Sequence, residues 1–141
     1  NLELNISCPN IDKHLISNNL QKFLNNKREW CIIKLSPLTD MKLVDKYYEN
    51  GFRQFHCSNT LPVKNGGLSG ITLIPYTSKL TKEIKDKYPD SIIISGGGIR
   101  NIITIDLYKA CGADHFSIST IFLNPIKFSI LYMNYLYKFI N

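Results

Sequence analysis

Several class-defining features are missing from the sequence. Charged residues are only 20% of the 141, and the basic ones fall in ones and twos, so no block of like charge marks a disordered tail or a nucleic-acid arm. The four cysteines, at positions 8, 31, 57 and 111, include no C-x-x-C pair, and with His14, His56 and His115 they make no metal-ligand spacing. A chain of this length is not a small disulfide-stapled scaffold, so reduced thiols and a cytoplasmic location are expected. No leader with a basic start and an apolar middle opens the chain, and no apolar run reaches the roughly 18 residues of a membrane span. The apolar stretch from Phe116 is interrupted by Lys127 and Lys138, and Pro125 suits the start of a helix inside it.

Apolar residues, by contrast, make up 44% of the chain, twenty of them isoleucine, which is enough for the core of one ordinary domain. The net charge of +6 is dispersed, as on a solvated surface; a nucleic-acid footprint would need clustering on one face.

Periodicity alternates along the chain. Strands are predicted over 2–7, 30–35, 52–57, 91–95 and 114–118, and helices over 12–25, 40–51, 75–88, 101–111 and 124–140. The segment 59–70 carries three glycines and a proline and is expected to be irregular. With no hairpin signal between the five units, the pattern calls for crossover connections and a parallel sheet with helices outside. An open doubly wound sheet could be complete at five strands, whereas a (β/α)8 barrel needs eight. Polar groups decide between them. Asn5-Ser7-Cys8-Asn10, Lys34-Ser36, Ser58-Asn59-Thr60, Ser95 with Gly96–Gly98, and Ser119-Thr120 end or follow successive strands. A barrel builds its active face that way, while an open sheet concentrates its site at one switch point.

Three motifs carry chemistry. Ser95-Gly96-Gly97-Gly98-Ile99 lies between a buried strand and a helix, where backbone N–H groups can cradle a phosphate, and Ser119-Thr120 ends the next strand beside it. A turn that merely needs positive φ would look the same. Lys34, inside Cys31-Ile32-Ile33-Lys34-Leu35, is either a strand-end lysine snorkelling to solvent or a fixed cation under a cofactor that becomes anionic. In Asn5-Ile6-Ser7-Cys8-Pro9-Asn10, two carboxamides able to orient a planar ring bracket a thiol that is either inert or a base.

Taken in order, Glu3–Asn10, Ile33-Lys34-Leu35-Ser36-Pro37, Ser58-Asn59-Thr60-Leu61, Gly66-Gly67-Leu68-Ser69-Gly70, Gly96-Gly97-Gly98-Ile99 and Gly112-Ala113-Asp114 resemble the dihydroorotate dehydrogenase family. The resemblance spans essentially the whole chain and implies the C-terminal part, about strands 4–8, of an FMN-dependent (β/α)8 barrel that oxidises dihydroorotate to orotate in pyrimidine biosynthesis. It implies that Cys8, the base of the family's soluble class, removes a proton from C5 while hydride passes from C6 to flavin N5. Asn5, Asn10, Asn59 and Thr60 would bind the pyrimidine, and Asn5, Lys34, Ser58, Ser69, Gly70, Gly97, Gly98, Ser119 and Thr120 the FMN, with Lys34 near the flavin N1–O2 edge. No metal is implied, and the partner is a dihydropyrimidine rather than a nucleic acid. Dihydropyrimidine dehydrogenase has a similar barrel and motifs, and a non-catalytic barrel fragment that binds a phosphorylated ligand is the alternative outside enzymology. Two departures stand out: the segment between Asn59 and Gly66 is short, and nothing corresponds to the family's first three strands. The chain opens on Asn1 directly before a strand, as a truncated excerpt would. It is therefore expected to need the missing part of the barrel, or a second copy.

Overall fold

The computed structural model describes residues 1–6, 20–58, 60–64 and 66–140. Seven strands are described: β1 (Leu2–Asn5), β2 (Cys31–Leu35), β3 (Gln54–Cys57), β4 (Leu61–Val63), β5 (Gly66–Leu68), β6 (Ile92–Gly96) and β7 (His115–Ser117). The helices are α1 (Met41–Glu49), α2 (Ile74–Lys87), α3 (Ile102–Ala110) and α4 (Pro125–Ile140), with short 3₁₀ turns at Leu20–Phe23, Ile71–Leu73 and Thr120–Leu123. Most of the helix expected over 12–25 lies outside the described residues.

Five strands form one sheet in the order β1-β2-β3-β6-β7, every neighbouring pair parallel. The order simply follows the chain. A doubly wound sheet reverses direction at a switch point, and this one does not. The sheet also curls. The ring of Trp30, just before β2, meets His115 of β7 edge-on with centroids 5.3 Å apart. In a flat sheet those strands would stand three spacings apart, about 14 Å. The fold is α/β, a partial (β/α)8 barrel.

Strand alternation shows which face is which. In β2, Cys31, Ile33 and Leu35 are buried while Ile32 and Lys34 are half-buried. The buried set packs with Phe55, Cys57 and Ile93 of adjacent strands against Val44 and Tyr47 of α1 and Leu80 and Ile84 of α2. Each such large side chain contributes about 1.5–3 kcal/mol by leaving water. Ile32 and Lys34 face the concave side. The sequence pattern predicts strands covered on both faces; here the concave side is the more open one, because the arc leaves the barrel interior uncovered.

Local signals place the helices. Asp40 caps α1, its carboxylate accepting from the Lys42 N–H at 3.1 Å, and Gly51, at φ +97°, ends the turn that follows. Pro75 occupies the first turn of α2, and Asn101 caps α3 by accepting from the Thr104 N–H. One expectation fails. The segment 59–70 contains an antiparallel hairpin pairing Leu61 with Leu68, Pro62 with Gly67 and Val63 with Gly66. Its signal was the Asn65-Gly66 dipeptide, which favours a tight hairpin and outweighs the glycine and proline count.

Candidate functional site

Polar side chains collect at the C-terminal ends of the parallel strands in two groups. The first is a cleft of about 130 Å³ between the ends of β6 and β7, lined by Gly70, Gly97, Gly98, Arg100, Ser119, Thr120 and Lys127 among others. It is smaller than the roughly 300 Å³ that encloses a whole drug-sized ligand, and suits one charged end of a larger molecule.

The glycines of this cleft are required by shape. Gly97 and Gly98 have φ of +92° and +72°. A Cβ on Gly97 would come within 2.7 Å of Leu73 Cδ1, and one on Gly98 within 2.9 Å of the Gly70 carbonyl oxygen and 3.0 Å of Ile71 Cα. The chain before α2 therefore packs directly onto the glycine loop. Helix side chains brace it from behind. The buried Tyr108 hydroxyl donates to the Gly97 carbonyl at 2.6 Å, and Thr77 donates to the Gly96 carbonyl at 3.1 Å. Burial pushes the Tyr108 phenol up to about 12, so it remains a donor across the neutral range.

The second group lies on the concave face. Lys34 Nζ is 3.0 Å from Glu3 Oε1, and His56 Nδ1 is 2.7 Å from Glu3 Oε2. Strand register makes this possible: Asn5 pairs with Lys34 and Lys34 with His56, so Glu3, Lys34 and His56 project to one side of three adjacent strands. The His56 side chain is 7% exposed, against 23% for Lys34 and 36% for Glu3. Burial presses the Glu3 carboxyl upward, but hydrogen bonds and charge from His56 and Lys34 outweigh it and hold the group below its ordinary 4.5. Burial also holds His56 below its ordinary 6.5 despite the pull of Glu3. A neutral imidazole donating through Nδ1 to a carboxylate satisfies both. A Cβ on Gly96 would lie 3.3 Å from His56 Nε2 and 3.0 Å from Ser117 Cβ, and Ser117 lines the cleft, so the two groups adjoin.

Of the residues singled out from sequence, Gly70, Gly97, Gly98, Ser119 and Thr120 meet in the cleft, and Lys34 stands on the concave face with Asn5 on the adjoining strand. Ser58 is buried, its hydroxyl 2.7 Å from Thr77 Oγ1 on α2 and so turned to the helix side. Ser69 is exposed and precedes Gly70, and Thr60 leads into β4. Cys8, Asn10 and Asn59 lie outside the described residues. Sequence reasoning assigned no role to Glu3, His56, Arg100 or Lys127. Arg100 follows the glycine motif directly, which was a usable signal; Lys127 reaches the cleft from α4, which no local pattern reveals. Among the described residues no cluster of His, Cys, Asp and Glu could hold a metal, and no helix is long and apolar enough to cross a membrane. Cys57 is fully buried and its thiol is pushed up to about 12, outside any reactive range.

No family model matches the chain. It is 30% identical to a putative dihydroorotate dehydrogenase A (fumarate) of Aquifex aeolicus (strain VF5), over 69% of this chain and 40% of that protein. Two crystal structures of DHODH from Eimeria tenella share its fold. One, in complex with ferulenol, has a TM-score of 0.63 at 20% identity; the other, ligand-free, has 0.62 at 24%. Each match covers 74% of this chain and about a third of the DHODH chain, 33% and 34%. This chain, which spans less than half the length of these relatives, resembles the dihydroorotate dehydrogenase family in sequence and forms an arc of the same fold.

Proposed function

We propose that the chain is part of an FMN-dependent oxidoreductase that converts dihydroorotate to orotate in pyrimidine biosynthesis. The observation that carries this reading is the cleft. Three positive-φ glycines, three hydroxyl residues and the cations Arg100 and Lys127 surround a space suited to a phosphate group. A Cβ at Gly97 would collide with Leu73 and one at Gly98 with Gly70 and Ile71, so the loop that lines the cleft keeps its shape only with glycine there, which supports the phosphate end of FMN as its occupant.

In this reading Gly70, Gly97, Gly98, Ser119 and Thr120 hold the phosphate, helped by Arg100 and Lys127. Ser69 contributes to the flavin side, whereas the Ser58 hydroxyl is engaged by Thr77 on the helix side, and Lys34 supplies a cation at the ring's polar edge. Bound FMN would supply the two-electron acceptor for hydride from C6 of the substrate. Asn5, Asn10, Asn59 and Thr60 orient the dihydropyrimidine, and Cys8 takes the C5 proton. Cys57, buried and with its thiol raised, offers no competing base, which supports this reading.

The arc leaves open surfaces. Among the described residues β1 and β7 each have one neighbouring strand, and a groove of about 440 Å³ between β7 and α4 is lined by Ile105, Phe116, Ile118, Phe128 and Leu131. Further strands of the same barrel, or a second copy, cover these in the working cytoplasmic enzyme. Such edges otherwise invite aggregation.

Release of bound FMN on denaturation, and turnover by full-length protein, test the reading. Cys8→Ala is expected to keep the flavin and lose turnover. Undiminished turnover would reassign the base, and protein that takes up no FMN would sink the proposal.

A further inference from the structure

The role of Glu3 follows from its two contacts. Its carboxylate spans two partners, one oxygen on the Lys34 ammonium at 3.0 Å and the other on His56 Nδ1 at 2.7 Å. A carboxylate with both oxygens engaged has little rotational freedom, and charge-assisted hydrogen bonds are the strong ones. His56 is the rigid end: its side chain is 7% exposed and its Nε2 is close against Gly96. Lys34 is the adjustable end, on a flexible four-carbon stem. The inward neighbours on β6, Ile92 and Ile94, bring no charge, so among the described residues of these strands the local balance is set by these three groups. With His56 held neutral by burial, the carboxylate offsets the ammonium.

We propose that Glu3 is a positioning residue and counter-ion for Lys34, anchored by His56, and that it sets how much positive charge Lys34 presents to the flavin. The inference rests on the flavin reading above and deepens it. A free lysine beside a flavin would stabilise the anionic reduced form to its full extent; one paired with a fixed carboxylate does so less, and from one place. Glu3 thereby keeps the cofactor's reduction potential lower than Lys34 alone would make it.

Two measurements on the full-length protein test this. The first needs no flavin. In nitrogen-edited NMR of the FMN-free protein, His56 is expected to be neutral with its proton on Nδ1, and Glu3→Gln should lower its pKa because the carboxylate that favours imidazolium is gone. A His56 titration unmoved by Glu3→Gln would overturn the three-residue arrangement. The second is the two-electron potential of bound FMN from anaerobic dye equilibration. Glu3→Gln should favour reduced over oxidised flavin about tenfold, a rise of roughly 30 mV. In a Lys34→Met background the same change should move the potential by less than half as much, since Glu3 acts through the lysine. Glu3→Asp, which keeps the charge, should return the potential at least halfway. An unchanged potential in Glu3→Gln, or an equal shift without Lys34, would overturn the proposed role. If the protein takes up no FMN while His56 responds as expected, the arrangement stands and the flavin reading fails together with the role assigned here.

Discussion

Gly98→Ala probes the cleft most sharply. At φ +72° an alanine pays about 1–2 kcal/mol for a backbone that L-residues avoid. Its Cβ would also stand 2.9 Å from the Gly70 carbonyl oxygen, 3.0 Å from Ile71 Cα and 2.7 Å from Ile74 Cγ1. Two of those three atoms are backbone and cannot swing aside, so the loop and the start of α2 must part, at a further cost of about 1–3 kcal/mol. Gly66→Ala is the matched control. Its φ is +136° and a Cβ there meets nothing within 4 Å, so it carries backbone strain without collision. Urea unfolding of the two variants in the full-length protein should separate them by at least about 1 kcal/mol, Gly98→Ala being the weaker. FMN titration should separate them further, because only Gly98→Ala displaces the N–H groups of the cradle; its dissociation constant should rise by about tenfold or more. Equal destabilisation of the two variants, with FMN affinity unchanged in both, would refute the claim that this loop is shaped by close packing for an anion.

Tyr108→Phe removes the donor to the Gly97 carbonyl and leaves that half-buried oxygen short of a partner. It should cost about 1–3 kcal/mol in chemical denaturation and weaken FMN binding without touching the ligand. Stability should fall on acidification. Both His56 and Glu3 have folded-state pKa values below their ordinary 6.5 and 4.5, so the unfolded chain binds protons first. The His56 contribution is complete above pH 6.5 and is lost as pH falls from there through its folded value; that of Glu3 is lost below 4.5 in the same sense. Urea midpoints measured from about pH 7.5 to pH 5 should decline in wild type and decline less in His56→Gln.

The parallel architecture was legible because buried parallel strands write continuous apolar runs such as Cys31–Leu35 and Ile92–Ile94, and because Gly51, Pro75 and Gly112 punctuate the units. The choice of barrel over open sheet was legible only through the polar residues at successive strand ends, and the strand order β1-β2-β3-β6-β7 agrees with it. The hairpin at Leu61–Leu68 was obscured by Pro62 and the paired glycines, which suit an exposed two-stranded ribbon as well as a loop. In the site, the glycines could be found because positive φ has a sequence signature. Glu3 and His56 could not. Their contact depends on the register of β1, β2 and β3, and a single charged residue in a strand looks the same whether it faces solvent or a partner 53 positions away. Lys34 left two readings open, and its contact with Glu3 shows why: it is neither free in solvent nor buried alone, but held at the concave face by a carboxylate.

In the proposed function, these strand ends hold FMN and use it to oxidise a dihydropyrimidine. Anaerobic addition of dihydroorotate to the purified full-length protein, followed by flavin absorbance, tests it most directly. The expected result is a yellow protein that bleaches on addition, with orotate formed one-for-one with flavin reduced. A yellow protein whose absorbance dihydroorotate leaves untouched, or a colourless one that FMN cannot load, would contradict it.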